Sequence, residues 1–137
     1  VCSGYAETRA RYGIRLMGRR VPRTRCGGTW TESRYFGFIR SALRAAFMKY
    51  PVKSHVKANA KEMTDDGARW RCAHCDGLFL SMDTEVDHIV PCGGLKKYED
   101  LPGFVERMFC EADGFQVLCK PCHKIKTKKD ADKRRKK

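Results

Sequence analysis

The sequence lacks any long apolar run. No stretch of it approaches the roughly 20 consecutive apolar residues that a membrane-spanning helix needs, and no segment has the pattern of a secretory signal. We therefore expect no membrane association and a reducing, cytoplasmic setting. In such a compartment the eight cysteines are expected to be free thiols or metal ligands rather than disulfides.

Acidic residues are scarce at both ends of the chain. Residues 1–60 hold 13 Lys and Arg against 2 Asp and Glu, and residues 119–137 hold 10 against 2. The middle, residues 61–118, reverses this balance with 6 against 12. Basic ends suit phosphates and an acidic middle suits cations, so a net charge of +13 in this arrangement predicts a nucleic-acid partner. The alternative is that the charge runs are only solvated faces.

Four of the cysteines form two Cys-x-x-Cys pairs, Cys72 with Cys75 and Cys119 with Cys122. Each pair places two thiolates on one tight turn, and four thiolates make a closed tetrahedral Zn²⁺ site. A long insertion between the pairs is tolerated because the entropy of loop closure grows slowly with length. The spacing therefore predicts a structural zinc ion that holds a small domain together.

Three further residues have the chemistry of a second, catalytic metal site: Asp87, His88 and His123. Asp87 offers a hard oxygen ligand suited to Mg²⁺ or Mn²⁺. Neighbouring side chains on a strand point to opposite sides, so His88 is left to act as a base while His123 completes the metal site. Alternatively, Asp87 is a turn or cap residue, His88 a core histidine and His123 a spare zinc ligand. Together with the basic ends, the set favours hydrolysis of phosphodiester bonds.

The most regular apolar pattern lies in residues 31–49 and predicts a helix that ends at Pro51. Its apolar residues recur every three or four positions, at Phe36, Ile39, Leu43 and Phe47. We expect this stripe to pack in the core, and a homodimer seam is the alternative. Residues 52–69 are polar and fit either a basic helix or a solvated linker.

These patterns predict an α+β protein with four segments. Residues 1–29 form a basic extended arm and 30–69 a helical region for DNA binding or packing. Residues 70–128 hold the zinc and the catalytic residues, and 129–137 form a disordered basic tail.

The order of motifs within residues 70–128 resembles the HNH endonucleases, above all the small type encoded by bacteriophages. The resemblance rests on Cys72-x-x-Cys75, on Val86-Asp87-His88-Ile89-Val90-Pro91 with Gly93-Gly94, on Gln116-Val117-Leu118-Cys119-x-x-Cys122-His123, and on Lys126-Thr127. It implies a ββα-metal core stapled by zinc, within a phage-infected bacterial cell.

The same resemblance implies residue roles. His88 is the general base, Asp87 and His123 bind Mg²⁺ or Mn²⁺, and the four cysteines bind structural Zn²⁺. The implied reaction is cleavage of double-stranded DNA to 5′-phosphate and 3′-hydroxyl ends. The candidate DNA contacts, taken from the arm, the first helix and the last helix, are Arg19, Arg20, Arg23, Arg40, Arg44, Lys124, Lys126 and Lys128.

One position departs from the family pattern. Gly114 stands where the middle asparagine is expected, and that asparagine usually pins the loop that orients the base. Asp113 is the candidate substitute. The departure keeps a second function open: a zinc-stapled DNA-binding or assembly module with a degenerate site and little turnover.

Overall fold

The structure is a computed structural model, and it describes residues 18–136. Short sheets and helices alternate in this part of the chain, which confirms the predicted α+β class. The strands are β1 (Arg23–Arg25), β2 (Trp30–Thr31), β3 (Lys61–Thr64), β4 (Gly67–Arg71), β5 (Leu78–Phe79), β6 (Thr84–His88) and β7 (Phe115–Cys119). The helices are α1 (Glu32–Phe47), α2 (Pro51–Asn59), α3 (Leu101–Met108) and α4 (Lys120–Arg135). The chain divides into two compact units, Val1–Glu32 and Ser33–Lys137.

Residues 23–31 of the first unit form a hairpin, and most of the predicted basic arm, residues 1–29, lies outside the described residues. Strands β1 and β2 pair antiparallel. Gly27 and Gly28 lie in the turn with φ of 63° and 79°, a left-handed backbone that glycine adopts at little cost. Three arginines of the predicted arm, Arg9, Arg11 and Arg15, lie outside the described residues.

The apolar stripe of α1 packs in the core, as expected. Phe36 is 3% exposed and shares a buried cluster with Leu95, Phe104 and Met108. The other stripe residues, Ile39, Leu43 and Phe47, are partly buried against the same cluster. Because α3 and the segment before it cover the stripe, the stripe is not an open dimer seam. The homodimer itself stays a prediction.

The predicted helical region at 30–69 is only partly helical. Helix α1 ends at Phe47, before Pro51 as predicted, and helix α2 begins at Pro51 and so resolves the open choice for residues 52–59. Residues 61–71 then form an antiparallel hairpin, in which Thr64 opposes Gly67 across the turn. A strand of four or five residues between a helix and a metal-binding turn shows too few periods of alternation to be recognised.

Strand β6 pairs with β7, and helix α4 begins directly after β7. These three elements carry the candidate site. Asp87 opposes Gln116, and His88 opposes Phe115, across the antiparallel β6–β7 ladder. Helix α4 starts immediately after β7 and continues to Arg135, so the predicted disordered tail at 129–137 is wrong for its described residues. Lys, Arg and Ala are good helix formers, and Lys126 pairs with Asp130 one turn later.

None of the helices in the described segment combines the length and the apolar character that crossing a bilayer requires.

Candidate metal centres and nucleic-acid cleft

The four predicted zinc ligands come together on two turns. Cys72 and Cys75 lie on the turn between β4 and β5, which is closed by hydrogen bonds from Cys72 N to Gly77 O and from Asp76 N to Cys72 O, both 2.9 Å. Cys119 ends β7 and Cys122 lies in the first turn of α4. The Ala73 N–H donates to Val117 O at 2.8 Å, which ties the first turn to the strand that carries the second pair.

The sulfur geometry fits a tetrahedral zinc ion. All four sulfur atoms lie within 4.8 Å of one another, and Cys75 Sγ is 3.9 Å from Cys119 Sγ. A tetrahedron with Zn–S bonds of about 2.3 Å has sulfur–sulfur edges of about 3.8 Å. Cys72 and Cys119 are 0% and 2% exposed, so the site is also a small core of its own. These cysteines could hold a structural metal such as zinc.

The thiols hold their protons unequally. Burial works to raise the pKa of Cys72, but N–H groups of Cys119, Cys75 and His74 outweigh it and lower that pKa to about 6. The hydrogen bond with Cys119 and burial together raise the pKa of the Cys122 thiol to about 12. Burial also raises the pKa of Cys119. Zinc binding must therefore displace protons from this cluster.

His74 lies beside the cysteine cluster, with an exposed side chain. Its Nδ1 is 3.5 Å from Cys122 Sγ. A ring N–H at this place donates to a thiolate and stabilises its negative charge. His74 therefore borders the sulfur cluster without belonging to the four ligands.

Asp87 and His123 face each other between β6 and α4. Asp87 Oδ1 is 3.7 Å from His123 Nε2. The other ring nitrogen, Nδ1, is 2.9 Å from Glu85 Oε2. Glu85 and Asp87 are two residues apart on β6 and so project to the same side. The interface thus brings two of the predicted metal ligands together, and it adds a carboxylate that the motif alone did not indicate.

The gap between Asp87 and His123 fits one divalent ion. Two ligand atoms that each lie about 2.1 Å from Mg²⁺ are at most about 4.2 Å apart, and the observed separation is 3.7 Å. Among the described residues, the four cysteines are the only group of three or more possible ligands whose donor atoms meet. Asp87 and His123 would therefore supply two ligands to such an ion.

Asp87 already has one cationic neighbour. Lys126 Nζ lies 2.9 Å from Asp87 Oδ2 and 2.8 Å from Asp130 Oδ2. Burial opposes the charge of this ammonium, but hydrogen bonds to Asp130 and Asp87 raise the pKa of Lys126. The structure therefore places Lys126, expected near phosphates, inside an ion-pair network, whereas Lys124 and Lys128 are exposed on α4.

His88 has one defined tautomer. Its Nε2 lies 2.9 Å from the carbonyl oxygen of Met108, which only accepts, so the neutral ring carries its proton on Nε2 and a lone pair on Nδ1. The ring packs against Phe47 and Phe115, with centroid distances of 4.9 and 4.8 Å. The Tyr50 hydroxyl lies 3.1 Å from the carbonyls of Phe109 and Cys110 and so holds the turn beside Met108. The sequence motif gave no sign of these supports.

Gly114 is sterically confined. A Cβ at this position would collide with Cys110 Sγ and lie 2.9 Å from Cys110 Cβ. Its carbonyl accepts a hydrogen bond from the N–H of Ile89, 2.9 Å away and directly after His88. The backbone therefore pins the end of β6, while the side chain of Asp113 is exposed.

Replacing Gly114 with alanine should destabilise the protein by about 1–3 kcal/mol, the usual cost of overpacking. Replacing Cys110 with alanine in the same chain removes the nearer obstacle and should recover part of the loss. Thermal unfolding of wild type, Gly114→Ala, Cys110→Ala and the double variant measures this coupling. Additive effects of the two substitutions would show that Cys110 does not fill this space.

A cleft of about 180 Å³ runs beside Asp87 and His88. Two arginines line it from different helices, Arg44 from α1 and Arg134 from α4. Arg44 is one of the predicted DNA contacts, whereas Arg134 lies in the segment that the sequence predicts to be disordered. Of the other candidates, Arg19, Arg20 and Arg23 are exposed in the first unit and Arg40 is half-buried on α1.

No family model, curated protein or solved structure matches this chain. Its fold and its site are therefore interpreted from their own geometry.

Proposed function

We propose that this protein is a metal-dependent DNA endonuclease of the HNH type, with β6, β7 and α4 as its ββα-metal motif. The observation that carries the proposal is the arrangement around β6. Asp87 Oδ1 and His123 Nε2 face each other 3.7 Å apart, and the next residue, His88, has its tautomer fixed beside the same cleft. A metal-binding pair and a base on adjacent strand positions suit hydrolysis of a phosphodiester.

In this mechanism His88 is the general base. Its Nδ1 lone pair takes a proton from the attacking water, while its Nε2–H stays bound to the Met108 carbonyl and fixes the ring. The packing of Phe47 and Phe115 against the ring restricts its rotation. The base is thereby preorganised, so little reorientation is needed during the reaction.

Asp87 and His123 would hold the divalent ion. Mg²⁺ or Mn²⁺ there would supply positive charge against the phosphate and help for the leaving oxygen. The short separation of the two ligand atoms means that this chain's own residues need only small shifts to bind.

Arg44 and Arg134 bring positive charge to the cleft wall, where a DNA phosphate would lie. Either Arg44→Gln or Arg134→Gln should weaken DNA binding and reduce the slope of log K against log salt by about one. Fluorescence anisotropy with a labelled duplex at several salt concentrations measures both quantities. Lys61→Gln is the matched control, because Lys61 is exposed on β3 and does not line the cleft.

A second candidate function is a zinc-stapled DNA-binding or assembly module with little turnover. Two observations favour it: Lys126 already neutralises Asp87, and no side chain at position 114 fits beside Cys110. Incubating supercoiled plasmid with the zinc-loaded protein and Mg²⁺, Mn²⁺ or EDTA separates the two candidates. Metal-dependent conversion to nicked or linear DNA with 5′-phosphate ends supports the endonuclease. Shifted but uncut DNA under every condition supports the binding module.

A further inference from the structure

Among the described residues, Glu85 is the acidic side chain that contacts the ring of His123 on the side away from Asp87. Its Oε2 lies 2.9 Å from His123 Nδ1. Across the same ring, Nε2 lies 3.7 Å from Asp87 Oδ1. The imidazole is therefore held between two carboxylates that project from one side of β6, two residues apart.

We propose that Glu85 is a positioning residue that sets the tautomer and the orientation of His123 for divalent metal binding. This inference rests on the proposed function, because it concerns the same metal-binding pair. A histidine has one lone pair in its neutral form, and a metal ion needs that lone pair on the nitrogen that faces it. Glu85 Oε2 accepts a hydrogen bond from Nδ1–H, so the lone pair of the neutral ring lies on Nε2, towards Asp87.

The geometry of the two elements explains why such a support is needed. His123 lies in the first turn of α4, directly after the cysteine pair, and its side chain is 32% exposed. At that exposure, packing covers only part of the ring. Strand β6 is held along its length by the ladder to β7, which fixes the backbone that carries Glu85. Carboxylates that hold a metal-binding histidine in this way typically strengthen metal binding 10- to 100-fold, as an order of magnitude.

Glu85 is well suited to a substitution test. Its side chain is 47% exposed, so replacing it removes little packing. Glu85→Ala deletes the acceptor, whereas Glu85→Gln deletes the charge but keeps a carbonyl oxygen that accepts from Nδ1. Glu106→Ala, at an exposed position on α3, is the matched control for the loss of one negative charge.

The tautomer of His123 is read first, from imidazole ¹⁵N shifts of the zinc-loaded protein without a second metal. Wild type and Glu85→Gln should show His123 protonated on Nδ1, and Glu85→Ala should show a mixture of both tautomers. An unchanged His123 spectrum in Glu85→Ala would overturn the inference. This readout needs no cleavage, so it decides the role of Glu85 even if plasmid assays reject the endonuclease.

Affinity for Mn²⁺ is the second readout, measured by titration calorimetry on the zinc-loaded protein. Glu85→Ala should bind Mn²⁺ about 10- to 100-fold more weakly than wild type, while Glu85→Gln and Glu106→Ala stay close to wild type. Equal losses in Glu85→Ala and Glu85→Gln would mean that charge alone matters and would contradict a positioning role. Wild-type Mn²⁺ affinity in Glu85→Gln, together with the wild-type tautomer of His123, supports the positioning role.

Discussion

Removing zinc should unfold the unit formed by Ser33–Lys137. The four-sulfur cluster is one of its two buried clusters, and Cys72, Cys119 and Leu118 at its centre are at most 2% exposed. A structural zinc site contributes on the order of 10 kcal/mol, which equals the whole stability of many domains, roughly 5–15 kcal/mol. Circular dichroism during titration with a strong chelator should therefore show a cooperative loss of structure.

The substitution Cys72→Ser should have the same effect, because it removes the most buried of the four sulfurs. The control is Cys26→Ser, which alters an exposed thiol in the β1–β2 turn. This variant should keep the wild-type melting temperature and bind one zinc ion per chain. A Cys72→Ser protein that melts like wild type would contradict the zinc staple.

Zinc affinity should also rise with pH. The raised pKa values of Cys119 and Cys122 mean that both thiols hold protons near neutrality in the absence of metal. Zinc must displace those protons, so zinc binds more weakly as the pH falls and more tightly as it rises. Competition titrations with a chromophoric chelator at several pH values measure this trend.

The substitution His88→Ala should reduce metal-dependent DNA cleavage about 10²- to 10⁴-fold, the usual contribution of a general base. The reason is that the Nδ1 lone pair, fixed by the bond from Nε2 to Met108 O, is lost. The single-turnover rate on supercoiled plasmid with Mn²⁺ measures the effect.

The matched control for this rate is His55→Ala, at an exposed position on α2. It should cleave like wild type. DNA binding by His88→Ala should also stay close to wild type, because the arginines of the cleft are retained. Equal cleavage by His88→Ala and wild type would reject His88 as the base.

The four-cysteine cluster was predictable from sequence because spacing alone restricts it. Two Cys-x-x-Cys pairs each fix a local turn, and only one long-range closure remains. The apolar stripe of α1 was predictable for a similar reason, since Phe36 and its partners repeat with the helical period. The ends of elements were harder, as shown by α4, where charged residues 129–135 continue a helix through pairs such as Lys126 with Asp130.

The supports of the candidate site were beyond the reach of sequence. Met108 offers only its backbone oxygen to His88, and a backbone carbonyl carries no signature in the sequence. Glu85 looks like any exposed strand residue until α4 places His123 beside it. Gly114 could be recognised as a departure from the family pattern, but its physical partner, Cys110, depends on how the preceding turn folds back.

We propose that Asp87, His88 and His123 hydrolyse DNA with a divalent ion on a zinc-stapled scaffold. The most direct measurement is nicking of supercoiled plasmid by zinc-loaded wild type, Asp87→Asn and His88→Ala, with Mn²⁺ and with EDTA. We expect nicking only by wild type with Mn²⁺. Nicking by all three proteins, or by wild type in EDTA, would contradict this account.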